Sequence, residues 1–314
     1  MAAHHDRPHR RTGHGPHAHD PAPGHGGHEA AFRLAFALNA AFVLVELGAG
    51  FVANSTALVA DAGHNLSDVL GLLLAWGAML LSKRAPAGRF TYGLRSTSIL
   101  AALGNAALLL IACGAIAWEA AHRLFAPPPV SGTTVTVVAL VGIVVNGVSA
   151  RLFARGRARD LNVRGVYLHM LADAMVSLGV AVAGLVVTLT GWLWLDPAVS
   201  LGVVAVIVAG AWSLLREALH LALSAVPTHV DLTAIEAYLR GRPGVTDIHD
   251  LHVWGMSTTE TALTAHLVIP GGYPGDAFMD DIVETLEHEF EIHHATLQIE
   301  QGNTNHACAL RGAP

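Results

Sequence analysis

The sequence predicts an α-helical membrane protein with six transmembrane helices followed by a small α+β domain, and three observations carry that prediction. Hydrophobic residues make up 53% of the 314-residue chain and charged residues only 13%, about half the charged share of an ordinary soluble domain. Six apolar stretches follow one another at 33–53, 57–81, 98–118, 133–153, 166–190 and 197–219, each near the ~20 residues that cross a bilayer as a helix. After Pro227 the long apolar runs stop, and short alternating and amphipathic segments take their place.

Residues 1–30 are rich in His, Pro and Gly with almost no large apolar side chains, so they cannot bury a core and are predicted to be disordered. Histidines 4, 5, 9, 14, 17, 19, 25 and 28 fall here. The same residues lack an apolar h-region, and no cleavable signal peptide is expected.

The six spans occupy a transmembrane domain over 31–222 and leave both termini on one side. Lys83, Arg84, Arg89 and Arg95 lie between spans two and three, and Arg151, Arg155, Arg157, Arg159 and Arg164 between spans four and five. The opposite connections, NSTAL, Arg123 with PPP, and TGWLWLDP, are nearly free of basic residues. By the positive-inside rule the arginine-rich loops and both termini are cytoplasmic.

Residues 227–301 read as a cytoplasmic α+β domain. DLTAIEAYLRGRPGV is a helix with Asp231 at its start and a Pro-Gly stop. TDIHDLHVWGM and ETALTAHLVIP alternate as strands do, GDAFMDDIVETLEHEF is helical, and HATLQIE is a last strand. The order αββαβ suggests a ferredoxin-like fold, with residues 302–314 as a flexible tail. Charge divides along the same boundary: residues 1–226 carry 15 Lys+Arg and 11 Asp+Glu, residues 227–314 carry 3 and 13. An acidic tail excludes nucleic acid as a partner and suits cations. Two distant cysteines, Cys113 and Cys308, give no disulfide framework and fit a reducing interior.

Ionisable residues inside a membrane are costly and mark functional sites. The second span carries His64 and Asp68, four residues apart and therefore on one helix face. The fifth span repeats the device with His169 and Asp173. One such pair also has a reading as a helix-packing hydrogen bond, but the duplication favours a site. Two imidazoles and two carboxylates between facing helices make the N₂O₂ tetrahedron that zinc prefers, and the set also suits Cd²⁺ or Co²⁺. Asp61, seven residues before Asp68, has two readings: it widens the site or guides ions to it, or it is structural or at a mouth. Glu46 reads as a helix-packing or access residue, Asn65 as a support for the ligands, and Asp196 as an anchor at the start of the sixth span.

ADAGHNLSD in the second span and LHMLAD in the fifth resemble the signatures of the cation diffusion facilitator family, and particularly its zinc-transporting branch. The six-span layout, His-rich amino end and soluble tail are similar too, over residues 30–301. The resemblance implies a homodimeric, proton-coupled antiporter of the bacterial cell (inner) membrane. It would alternate between inward-open and outward-open states, with Zn²⁺ as transported and regulatory ion and no organic cofactor. Proton coupling also has a physical basis, since histidine and carboxylate bind metal only when deprotonated, and histidine titrates near physiological pH. The resemblance further implies a metal site in the cytoplasmic domain at His249, His266, His293 and Glu300, with His294 the alternative to His293. The competing reading is partly buried sheet histidines. His252, three residues from His249, is expected on the opposite strand face. Some relatives carry a further site in the loop between spans two and three. SKRAPAGRFTYGLRSTS has neither His nor acid, so none is expected here, and that basic loop is left to contact anionic headgroups or the acidic tail of the dimer partner.

The His-rich arm either captures zinc or acts as a weak buffer. His306 and Cys308 either add soft ligands or lie idle. Two other functions compete with transport. An intramembrane metalloenzyme lacks support, because no H-E-x-x-H and no general base accompany the metal pairs. A membrane-anchored metal sensor or store needs no ligand pairs inside its anchor.

Overall fold

A computed structural model describes the backbone of residues 25–154 and 161–302, and the side chains of those residues apart from 25–33, 75, 79 and 161–165. Most of the His-rich arm, the loop arginines Arg155, Arg157 and Arg159, and His306 and Cys308 lie outside the described residues. Six long apolar helices come first: α1 (His25–Ala53), α2 (Thr56–Ser82), α3 (Thr97–Phe125), α4 (Gly132–Phe153), α5 (Leu161–Thr190) and α6 (Leu195–Ala222). All six are long and apolar enough to cross a bilayer. The predicted disordered segment is too long by six residues, because α1 already starts at His25. Extending a nucleated helix costs far less than starting one, and the apolar run from Phe32 onward supplies the nucleus.

The bundle keeps small side chains inside and large ones outside. Ala53, Ala57, Ala60, Ala139 and Val180 are buried together, with Leu58 the largest among them, while Leu44, Phe51, Ile111, Trp118 and Val206 are exposed to the surroundings of the bundle. In lipid there is no hydrophobic drive between helices, so close backbone packing has to hold them. The α4–α5 crossing shows the requirement. A Cβ on Gly132 would lie 2.5 Å from the Gly184 carbonyl oxygen, and one on Gly184 would lie 2.9 Å from the Gly132 carbonyl oxygen. Gly184→Val is therefore expected to force these backbones apart at a cost of about 3 kcal/mol or more. Loss of the monodisperse peak on size-exclusion chromatography in detergent would report it, and an unchanged elution profile would contradict the crossing.

Asp196 does anchor a helix start, but that of α2 rather than its own. Its Oδ2 accepts from the Thr56 backbone N–H at 2.8 Å and from Thr56 Oγ1 at 2.9 Å, and its Oδ1 accepts from Ser55 Oγ. A carboxylate there meets the unpaired N–H groups and the positive end of the helix dipole. Ser200 Oγ adds a bond to the Thr56 carbonyl, which ties α6 to α2 at the end of the bundle away from the C-terminal domain. Because Asp196 is only 3% exposed, Asp196→Ala leaves buried donors unpaired. It is expected to cost about 3 kcal/mol, read as a lower melting temperature in detergent.

The C-terminal domain has the predicted order: α7 (Leu232–Arg240), β1 (Asp247–Gly255), β2 (Thr261–Val268), α8 (Asp276–Phe290) and β3 (Ile292–Glu300). Asp231 caps α7 by accepting from the N–H groups of Thr233 and Ala234 at 3.0 and 3.1 Å. The sheet order is β1-β2-β3, with β1–β2 antiparallel and β2–β3 parallel. Ile235, Leu239, Leu263, Ala265, Leu267, Ile282 and Leu286 form the core, so both helices cover one face of the sheet. The alternate residues of β2 and β3, including His266 and Glu300, stand on the other face.

The two domains are joined by contacts at the tip of the β1–β2 hairpin. Arg95 Nη1 lies 2.7 Å from Glu260 Oε2, Ser96 Oγ donates to the Met256 carbonyl at 3.2 Å, and the Thr258 N–H donates to Ser98 Oγ at 3.1 Å. The basic loop between α2 and α3 thus meets the acidic domain of its own chain.

Candidate metal centres

Helical periodicity puts His64 and Asp68 one turn apart on α2, and His169 and Asp173 one turn apart on α5. The fold turns both faces toward each other. His64 Nε2 lies 3.7 Å from Asp68 Oδ2 and 3.5 Å from Asp173 Oδ1. His169 Nε2 lies 3.1 Å from Asp68 Oδ2 and 3.6 Å from Asp173 Oδ2. Each imidazole therefore faces both carboxylates, and the rings stand edge to face with centroids 6.0 Å apart. Tetrahedral zinc at its usual bond lengths separates ligand atoms by about 3.3–3.6 Å, the range of the cross-helix pair His64–Asp173. Donor atoms of Asp68, His169 and Asp173 lie within 4.8 Å of one another, and His64 stands outside that group of three.

Exposure is graded across the cluster. Asp173 is nearly buried, its side chain 4% exposed, whereas that of His169 is 42% exposed. Asp68, His169 and Asp173 line a cavity of about 310 Å³ together with Ala35, Phe36, Phe153 and Met170. These last residues come from the start of α1, the end of α4 and the start of α5. The cavity thus lies in the half of the bundle that carries the C-terminal domain. Asn39, Asn65 and Asn105 supply its remaining polar wall. Asn39 Nδ2 donates to the Ala35 carbonyl at 2.8 Å and Ser149 Oγ at 3.1 Å, and Asn105 packs on Gly71, a turn from Asp68. Asn39 and Asn105 join the residues expected from sequence; an amide inside an apolar run is the signal that marks them.

Asp61 and Glu46 are both completely buried, which removes a mouth or access role for either in this conformation. Asn65 Nδ2 donates to Glu46 Oε2 at 3.2 Å, and Ser177 Oγ donates to Asp61 Oδ2 at 3.0 Å.

A second cluster stands on the open face of the C-terminal sheet. His249 and His266 are cross-strand partners, with ring centroids 5.1 Å apart. His249 Nε2 lies 3.3 Å from Glu300 Oε2, and His266 Nδ1 lies 2.9 Å from Glu300 Oε1. Two expectations need correction. His293 is not in this cluster: its Nδ1 accepts from the Thr261 N–H at 3.3 Å, and seven residues of extended strand separate it from Glu300 by about 23 Å. His294 fails for the same reason, and its ring stands against Tyr92 at 5.6 Å.

The second correction concerns His252, which shares the face of His249. Asp250 has φ 55° and the register shifts between His249 and His252. The extra residue of this bulge turns the following side chains over. It also brings in an acid that the alternation had hidden. Asp250 Oδ1 is 3.0 Å from His252 Nε2, and its Oδ2 is 3.6 Å from His266 Nε2. Asp250 thus stands beside the His266 ring on the nitrogen opposite Glu300, at ion-pair rather than hydrogen-bond distance.

A family model described as the cation efflux transmembrane domain matches residues 32–221, and one described as the cation efflux protein cytoplasmic domain matches residues 227–302. The chain is 34% identical over 285 residues to the metal cation efflux system protein CzcD of Cupriavidus metallidurans, covering 90% of this chain and 89% of that one. It is 36% identical over 268 residues to the zinc transporter ZitB of Escherichia coli, covering 85% of each. To the cadmium, cobalt and zinc/H(+)-K(+) antiporter of Bacillus subtilis it is 31% identical over 294 residues, covering 92% and 94%. A solved structure of the metal-bound C-terminal domain of CzcD is 32% identical, covers 23% of this chain and 99% of that one, and has a TM-score of 0.20. These relatives are metal transporters and not enzymes. By both domain matches and by relatives along most of its length, the chain belongs to the cation efflux family, the cation diffusion facilitators.

Proposed function

We propose that the chain exports Zn²⁺, with Cd²⁺ and Co²⁺ as further substrates, from the cytoplasm in exchange for protons. The ion is held by His64, Asp68, His169 and Asp173 while the bundle alternates between inward-open and outward-open states. One observation carries this reading: two His/Asp pairs on different apolar helices face each other, His169 at 3.1 Å from Asp68 and His64 at 3.5 Å from Asp173, beside a cavity in the cytoplasmic half of the bundle. Ligand type supports zinc, since two imidazoles with two carboxylates suit it better than an all-oxygen set would. The names of the relatives in C. metallidurans, E. coli and B. subtilis point the same way.

The protein works as a homodimer in the cell (inner) membrane; the loop arginines support cytoplasmic placement of both termini, and the match to the cytoplasmic-domain family model supports the dimer. His249, His266 and Glu300 hold a second, regulatory cation. Cations bound there relieve repulsion between two acidic domains and draw the protomers together.

Proton exchange follows from competition. Ligands that bind metal only when deprotonated release it to an acidic exterior and return protonated. A gradient of one pH unit contributes about 1.4 kcal/mol per proton exchanged, about a tenfold change in metal accumulation. Collapsing the gradient in proteoliposomes with an acidic lumen is expected to lower zinc accumulation by that factor per unit removed. Accumulation that ignores the gradient would sink the coupling.

A further inference from the structure

Asn146, on α4, is 1% exposed, and neither its amide nitrogen nor its carbonyl oxygen has a hydrogen-bond partner among the described residues. An amide buried inside a membrane helix without partners is costly and calls for a task. Its neighbours fix where it stands. Residue numbers along α4 and α5 run in opposite directions: a Cβ on Gly132 would meet the Gly184 carbonyl, and one on Gly142 would lie 3.2 Å from Ser177 Oγ. Asn146 is one turn beyond Gly142 and shares its helix face, and Asp173 is one turn before Ser177 and shares its face. Asn146 therefore comes level with Asp173, on the face of α4 turned toward it. The next contacts along the two helices give the same level. Asn39 Nδ2 donates to Ser149 Oγ, three residues beyond Asn146, and lies 3.9 Å from Met170 Sδ, three residues before Asp173.

In the conformation described here Asp173 Oδ1 faces His64 at 3.5 Å and Oδ2 faces His169 at 3.6 Å. An imidazole nitrogen that ligates a cation has no proton to offer a carboxylate. Loading the cluster therefore takes both partners from Asp173, and in a four-ligand site one of its oxygens goes to the ion. The other oxygen, on a side chain only 4% exposed, is left needing a donor. Three nearby donors are already committed: Ser177 Oγ to Asp61, Asn39 Nδ2 to Ala35 and Ser149, and Asn65 Nδ2 to Glu46. We propose that Asn146 is a positioning residue for the transported cation, its amide N–H taking the free oxygen of Asp173 when the ion binds. The inference deepens the transport reading and rests on it. Asn146 turns to Asp173 without breaking any bond of its own, and then holds the carboxylate at the angle the ion needs. Hydrogen bonds to ligating carboxylates set metal affinity in this way.

The test is calorimetric Zn²⁺ titration of full-length protein in detergent, on a His249→Ala, His266→Ala background, for Asn146→Leu, Asn146→Ala and Asn146→Gln. The two variants without an amide are expected to bind at the membrane site about 10–100-fold more weakly than the parent. Asn146→Gln, which keeps the donor, is expected to bind at least about threefold more tightly than either. With zinc removed by a chelator, the melting temperature of at least one amide-free variant is expected within about 3 °C of the parent, because the amide has no bond to lose in that state. Amide-free affinities within about threefold of the parent would overturn the assignment, as would Asn146→Gln binding no better than Asn146→Ala. A zinc-free melting temperature lowered beyond that margin in both amide-free variants would make the residue structural and overturn it too. A parent that binds zinc in this titration but carries none into proteoliposomes would instead sink the transport reading and leave Asn146 with its place behind Asp173.

Discussion

Asp173→Ala is expected to abolish tight zinc binding by the membrane domain, weakening it at least about 100-fold, or about 2.7 kcal/mol. Asp173 is the least exposed of the four residues, and each of its oxygens faces a different imidazole. Its loss removes one ligand and also the group that orients both histidines. Asp68→Ala removes a ligand at the cavity edge, where its side chain is 34% exposed; water can take its place, and about tenfold weakening is expected. Calorimetric zinc titration of full-length protein in detergent measures both. His249→Ala and His266→Ala are included as a common background, so that the difference between parent and variant isolates the membrane site. Equal affinities in all three proteins would remove Asp68 and Asp173 from the site.

The second large effect is expected in the cytoplasmic domain. A ligand at a hundred times its dissociation constant stabilises the form that binds it by about 2.7 kcal/mol. Zinc should therefore slow amide exchange in β1 and β3 of the full-length protein by about 100-fold. His249→Ala combined with His266→Ala should erase that protection. His293→Ala should leave it intact, because His293 stands at the opposite end of β3, bonded to Thr261. Asp250→Asn should weaken zinc binding by about 10-fold without abolishing it, the effect of losing a carboxylate beside a ligating histidine. Protection lost in His293→Ala and kept in the double variant would invert the assignment.

The spans were legible because membrane helices must satisfy their backbone internally and be apolar for about twenty residues. The juxtaposed His/Asp pairs were legible because four-residue spacing fixes a common face, and the same spacing occurs twice. What failed to show was whatever depends on position along the third dimension. The strand rule put His252 on the wrong face, because one residue in αL conformation, Asp250, inserts a bulge that no alternation pattern reveals. His293 was grouped with Glu300 by family resemblance and by closeness in sequence, yet an extended strand carries it away at about 3.3 Å per residue. Asp196 was read as serving its own helix. Its partners Ser55 and Thr56 lie about 140 residues earlier, and only the packing of α6 on α2 brings them together. Glu46 and Asp61 were visible as charges in apolar runs, but their complete burial was not.

The central claim is that the ligand pairs inside the spans move metal rather than merely sit in an anchor. It is tested most directly by zinc entry into dye-loaded proteoliposomes under a fixed pH gradient, comparing the parent with Asp68→Ala and Asp173→Ala. A rapid fluorescence rise is expected for the parent, at least about a tenfold slower rise for Asp68→Ala and none above empty liposomes for Asp173→Ala. Equal rates for all three proteins would contradict it.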